Sequence, residues 1–258
     1  MIDTHAHINF NEYSNNFDKF INNLKSKNIE KVIIPGVEPS LFSQIINLCD
    51  KYDMLYGAIG IHPSEYLTYN SESQEKIYEY TKHKKIVAIG EIGLDYHYGF
   101  EYKKEQKIIF EKQLEIASEI QIPVIIHDRD AHEDAFNIIK KYNLKNVVFH
   151  CFSGDTDFAL KCVENGYYIA IGGVVTFKNA IMLKEAVKNI PIENMLLETD
   201  SPYLAPVPFR GKINSPEYLV YIAREIALIK NINSEEVEKQ TTINAKRIFD
   251  FNGQRKIG

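Results

Sequence analysis

Cysteine is scarce in this 258-residue chain. Cys49, Cys151 and Cys162 form no CxxC pair, which argues against a disulfide framework and favours the cytoplasm. Positive charge is in deficit: 30 Lys and Arg stand against 35 Asp and Glu, a net charge of −5. A whole-molecule attraction for nucleic acid is therefore absent, and any grip on phosphates has to come from a local patch or from bound cations. Long apolar runs are missing too. The longest uncharged run, Asn165 to Phe177, holds three glycines and falls short of the roughly 20 residues a spanning helix needs. The opening Met-Ile-Asp-Thr-His-Ala-His has no basic segment followed by an apolar one, so no secretory leader is expected. Thirteen glycines and nine prolines are too few for a fibre or a low-complexity chain.

What is present is ordinary globular material, 45% hydrophobic and 25% charged, without internal repeat, charge block or linker. Short β-rich runs alternate with longer amphipathic stretches. The strand candidates are residues 2–7, 31–35, 55–61, 86–90, 123–127, 147–152, 167–172 and 195–200. They start about 28 residues apart on average, the length of one βα unit. Among the helices, 103–120 is the clearest: Ile109, Phe110, Leu114, Ala117 and Ile120 share a face. Ser215-Pro216-Glu217 reads as a cap followed by a helix start, and 234–251 as a final helix. This rhythm predicts an α/β fold, a single (β/α)8 TIM-like barrel covering residues 1–258 as one domain. The runner-up is an open, doubly wound sheet. In a barrel, function collects at the C-terminal ends of many strands; in an open sheet, at one switch point.

The strand ends carry unusual polar residues. Of eight histidines, His5, His7, His127 and His150 fall on the strand candidates, and His62 follows one directly. Glu91 follows Gly90, and Glu198-Thr199-Asp200 closes the last run. Alternation along a strand points Asp3, His5 and His7 one way, and Glu198 with Asp200 another. Buried imidazoles and carboxylates converging on one barrel mouth are costly without a cation. The His5-x-His7 pair can bring two imidazoles to one ion, and Glu91 can bridge two. His127 and His150 can serve a second ion; Asp200 can bind metal and accept a proton from water. Four His and two carboxylates suit Zn²⁺, Mn²⁺, Fe²⁺ or Ni²⁺ better than Ca²⁺, with Mg²⁺ allowed if it keeps waters.

These segments resemble the TatD-type metal-dependent deoxyribonucleases of the amidohydrolase superfamily. The resemblance is carried by Asp3-Thr4-His5-Ala6-His7, Gly60-Ile61-His62-Pro63, Gly90-Glu91-Ile92-Gly93-Leu94-Asp95-Tyr96, Pro123 to Arg129, His150-Cys151-Phe152-Ser153-Gly154 and Glu198 to Leu204. It implies a TIM-like barrel with two divalent ions (Zn, Mg or Mn). On that pattern His5, His7 and Asp200 hold one ion, His127 and His150 the other, and Glu91 bridges. It implies hydrolysis of DNA phosphodiesters, with 3′-to-5′ exonuclease action and DNA as the macromolecular substrate. Asp200 and Glu91 become the catalytic residues, and His62, Arg129 and Glu198 the candidates for substrate contact. Some members act on D-aminoacyl-tRNA esters, so the alternative is a hydrolase of a carboxylic ester or amide. One segment departs: a basic run of the form R-G-K-R-N-E-P here reads Arg210-Gly211-Lys212-Ile213-Asn214-Ser215-Pro216, which puts the grip of that loop on substrate in question.

The remaining candidates have plainer readings. Asp3 is expected to brace His5 or the backbone, and Glu198 to bridge to a buried cation such as Arg129. Tyr96, His97 and Tyr98 offer faces for base stacking. Lys103, Lys104 and Lys107 read as a solvated helix face, and His83 and His132 as solvated. A non-catalytic scaffold has no need of six metal-ligating side chains, and no obligate protein partner is indicated.

Overall fold

A strand whose two faces are both covered needs apolar residues at every position, and the β-rich runs supply them. The computed structural model of the protein describes residues 1–13, 15–97, 99 and 101–253. Its elements alternate along the chain: β1 (Ile2–Asp3), α1 (Phe17–Ser26), β2 (Lys31–Ile34), α2 (Phe42–Lys51), β3 (Leu55–Ala58), α3 (Ser71–Tyr80), β4 (Ile86–Asp95) and α4 (Lys103–Ile120). The second half continues with β5 (Val124–Arg129), α5 (His132–Ile139), β6 (Val147–Phe149), α6 (Thr156–Glu164), β7 (Tyr168–Ile171), α7 (Ile181–Asn189), β8 (Met195–Leu197), α8 (Leu219–Lys230) and α9 (Ser234–Ile248). The strands follow chain order from β1 to β8 in one sheet. That is the topology of the (β/α)8 TIM-like barrel, not of an open sheet whose order reverses at a switch point.

The chain divides into two compact units, Met1–Ile34 with Cys151–Arg247, and Pro35–His150 with the segment from Ile248. In the first, β1 pairs with β2 and β7 with β8, all parallel. Thr4 N donates to Leu197 O at 3.1 Å, which ties β8 to β1. In the second, β3, β4, β5 and β6 pair in sequence, again parallel.

Several strands are shorter than their apolar runs. β1 ends at Asp3, β3 at Ala58 and β8 at Leu197, because each chain then bends to deliver polar side chains. β4 is longer, running on to Asp95 beside β5. Gly93 permits this: its φ is +148°, and a side-chain carbon there would lie 1.9 Å from the His127 carbonyl oxygen. Helix α4 has the bounds read from sequence, but Gln106 and Gln113 join Phe110, Leu114 and Ala117 on its buried face. Ser215 makes no side-chain cap; Pro216–Tyr218 form a 3-10 turn ahead of α8. The last helix stops at Ile248.

Candidate metal centre

In the first unit the His5-x-His7 segment lies between two backbones. Ala6 N donates to Ile33 O at 3.0 Å on one side, and His7 N to Ser201 O at 2.7 Å on the other. Asp200 N donates to His5 O at 2.9 Å. This lacing brings three side chains together. His5 Nε2 and His7 Nε2 are 3.3 Å apart, and Asp200 Oδ1 lies 3.8 Å and 3.6 Å from them. His5 and His7 are buried, while Asp200 is 15% exposed. The His7 ring stacks on Phe10, with centroids 5.0 Å apart.

Strand alternation does not survive into this region. Asp3 turns away from the imidazoles and accepts from Thr199 N (3.0 Å), Thr199 Oγ1 (2.6 Å) and His5 N (3.2 Å). It braces the backbone of its partners. Burial pushes its carboxyl up to about 7 against the pull of those hydrogen bonds. Past β8 the chain leaves extended geometry and enters the left-handed region at Asp200 (φ 53°). Glu198 is wholly buried, and its Oε1 accepts from Cys151 N at 2.5 Å. Through that bond Glu198 braces the backbone just after His150. Arg129, expected as a buried cation, is exposed at the end of β5.

The basic loop holds a further brace. Asn214, wholly buried, donates from Nδ2 to Thr199 O (2.7 Å) and Tyr203 O (2.6 Å), the carbonyls on either side of Asp200. Tyr13 OH in turn donates to Asn214 O at 2.6 Å. Ile213 is exposed and Ser215 buried, so the departures at these positions flank a structural amide.

In the second unit, Glu91 Oε1 lies 2.6 Å from His127 Nδ1 and 2.7 Å from His150 Nε2, with the two nitrogens 3.3 Å apart. Glu91 and His150 are buried. His127 Nε2 reaches Asp95 Oδ2 at 3.0 Å. Burial alone would push His127 down, but the Asp95 and Glu91 carboxylates outweigh it and hold the imidazole above its ordinary range. Burial would likewise raise Asp95, and the bond to His127 wins and lowers it. Asp95 had no role in the sequence reading. The strand candidate stops at residue 90, and only the continuation of β4 to Asp95 puts Glu91 and Asp95, four residues apart, on one strand.

His62 closes this cluster, its Nε2 3.6 Å from Glu91 Oε1 and its ring centroid 4.3 Å from that of His127. Burial, then the neighbouring His127, pushes its pKa down to about 3, so it is neutral. Ser64 N donates to His62 Nδ1 at 3.1 Å. Nδ1 is therefore the acceptor, and the proton sits on Nε2.

The other candidates find protein partners. Tyr96 is buried, donates to Asp134 Oδ2 at 2.8 Å and lies under Lys103, so it is no exposed stacking platform. His97 is exposed and lies 3.2 Å from Asp130 Oδ2, and Tyr98 falls outside the described residues. His132 and His83, read as solvated, pair with Asp128 (2.7 Å) and Asp50 (3.2 Å). Lys107 pairs with Asp134 at 2.8 Å.

The donor sets fit divalent cations. His5, His7 and Asp200 form one group and Glu91, His127 and His150 another, and within each the ligand atoms lie within 4.8 Å of one another. Two imidazoles and a carboxylate match the borderline metals. Among the described residues, no helix is long and apolar enough to cross a membrane.

A family model described as TatD related DNase matches residues 2–250. The Bacillus subtilis protein called uncharacterized metal-dependent hydrolase YabD is 41% identical, over 98% of this chain and 100% of its own. The Escherichia coli K12 protein called uncharacterized metal-dependent hydrolase YcfH is 32% identical, over 99% of this chain and 97% of its own. Among solved structures, YjjV, a TatD homologue from Escherichia coli K12, superposes with a TM-score of 0.91 at 28% identity. It covers 97% of this chain and 98% of its own.

Proposed function

The chain belongs to the TatD-related DNase family of metal-dependent hydrolases, and from that premise we propose that it hydrolyses phosphodiester bonds of DNA, as a 3′-to-5′ exonuclease using two divalent cations. The observation that carries the reading is the pair of buried His-His-carboxylate groups. His5, His7 and Asp200 would hold one cation, and Glu91, His127 and His150 the other. When bound, divalent cations polarise a phosphate, neutralise its charge and bring the pKa of water towards neutrality. That would let a chain of net charge −5 handle a polyanion.

The chain's own groups do the rest. Asp200, the most open member of its group, takes the proton of the attacking water at a carboxylate oxygen. Glu91 acts by holding its cation. Neutral His62 donates from Nε2 to a phosphate oxygen, and exposed Arg129 pairs with the phosphate chain. The whole length, residues 1–258, acts as one hydrolase domain. Its sparse cysteines suit the cytoplasm.

The test is a side-by-side assay on single-stranded DNA, RNA, D-aminoacyl-tRNA and a simple phosphodiester, with metal content measured on the same sample. DNA shortened from its 3′ end is the expected result. Turnover of D-aminoacyl-tRNA alone would replace the nuclease reading with ester hydrolysis.

A further inference from the structure

Two buried glutamines on α4 perform the same unusual task. Gln113 accepts from Ile61 N at 2.8 Å and donates to Ile61 O at 3.0 Å. Gln106 accepts from Asp95 N at 2.9 Å and donates to Asp95 O at 3.0 Å. Each side-chain amide satisfies both backbone groups of one residue, as a neighbouring strand would. They lie seven residues apart, two helical turns, and so project from one face.

The need arises from strand lengths. β4 runs to Asp95, but its registered pairing with β3 extends only to Ala88, opposite Ala58. β5 accompanies β4 to the end, and Tyr96 N donates to Arg129 O at 2.9 Å. Alternation then turns the Asp95 N–H and C=O to the opposite edge, where no strand continues. A buried backbone pair without partners is expensive, and Gln106 supplies both partners. Asp95 in turn reaches His127 Nε2 at 3.0 Å, on the ring whose Nδ1 faces Glu91 and His150. The line runs from helix to backbone, to carboxylate, to imidazole.

We propose that Gln106 is a positioning residue for the Glu91–His127–His150 cation group, fixing the Asp95 carboxylate that orients His127. The assignment rests on the cation reading given above. Outer partners of metal-bound imidazoles set ring orientation, and their loss weakens metal binding by about 10- to 100-fold. Gln113 is the built-in control. It makes the same kind of clamp from the same helix, on Ile61, which is neither a proposed cation ligand nor a hydrogen-bond partner of one.

The experiment is calorimetric titration of the chelated full-length protein with Mn²⁺. The proteins are wild type, Gln106→Ala, Gln113→Ala, Asp95→Ala and Gln106→Ala/Asp95→Ala, with a thermal melt of each. Gln106→Ala weakens one of two Mn²⁺ sites by about tenfold or more. Gln113→Ala loses comparable thermal stability while both Mn²⁺ affinities stay at their wild-type values, because Ile61 leads to His62 and not to a proposed cation ligand. Adding Gln106→Ala to Asp95→Ala produces no further loss, because both act through one carboxylate. If Gln106→Ala does not fold, Gln106→Glu takes its place, since it keeps the acceptor for Asp95 N and lacks the donor for Asp95 O. Wild-type Mn²⁺ affinities in a folded Gln106 variant overturn the assignment alone. A wild-type protein that binds no Mn²⁺ overturns the cation reading and the assignment together.

Discussion

At the scale of single residues, the two proposed cation groups differ in how their side chains are held. His127 has carboxylates at both ring nitrogens, Glu91 at 2.6 Å and Asp95 at 3.0 Å. His127→Ala removes one of the proposed ligands and is expected to lower turnover by about 100-fold while leaving the fold intact, since the ring faces other polar groups of the site rather than the apolar core. Kinetics on a metal-verified preparation check it; wild-type turnover would take His127 out of the mechanism. Asn214 works through carbonyls. Asn214→Ala leaves one buried and one part-buried acceptor without their donor and costs about 1–3 kcal/mol, read by denaturant titration. Asp3 sets a pH dependence. Its folded pKa of about 7 lies above the unfolded value of 3.8, so the protonated form favours the fold. That stabilisation is complete at low pH and is lost as pH rises from about 4 to 7. Asp3→Asn keeps a neutral acceptor and is expected to flatten the stability of the chelated protein across that window. An unchanged slope in the variant would show that Asp3 is not its source.

At the scale of elements, the site depends on where strands stop. β3 ends four residues short of His62, and the turn that carries His62 has no strand beside Ile61. Gln113 of α4 replaces it. Gln113→Ala is expected to raise KM on a DNA substrate by about tenfold, with kcat and metal content unchanged, because His62 serves substrate binding in the proposed reaction. A loss confined to kcat would contradict that role. β4 and β5 approach each other at Gly93 and His127. Any side chain at Gly93 meets the His127 carbonyl, and the strain has no flexible group to absorb it. Parallel strands thus supply more than a wall: their unequal lengths leave backbone groups that helix side chains satisfy, next to residues of the site.

At the scale of the whole molecule, the proposed reaction predicts that activity and stability are coupled through the cations. A chelator is expected to stop hydrolysis, and Mn²⁺, Mg²⁺ or Zn²⁺ to restore it to different extents. Binding to the folded form alone adds about 2.7 kcal/mol when free metal exceeds its Kd 100-fold, so the melting temperature should rise with metal concentration. Full activity after exhaustive chelation would exclude cation-dependent hydrolysis. Net negative charge makes the same point, since a chain of −5 gains nothing from long-range attraction to DNA.

The order of strands and helices, the eightfold rhythm and the bounds of α4 were legible in the sequence, because period-2 and period-3.6 burial are local consequences of backbone geometry. His5, His7, Glu91, His127, His150 and Asp200 were legible as an incongruity, ionisable groups at the ends of apolar runs. Which of their polar neighbours join them was not. Alternation predicts direction only while a strand lasts, and β1 and β8 stop at Asp3 and Leu197. Beyond those points the chain's path is set by hydrogen bonds to residues nearly two hundred positions away, such as Thr199 on Asp3 and Asn214 on Tyr13. Gln106 and Gln113 look like solvated positions of a helix until the missing strand beside them is seen. Partners distant in sequence leave no local pattern, so tertiary structure alone decided them.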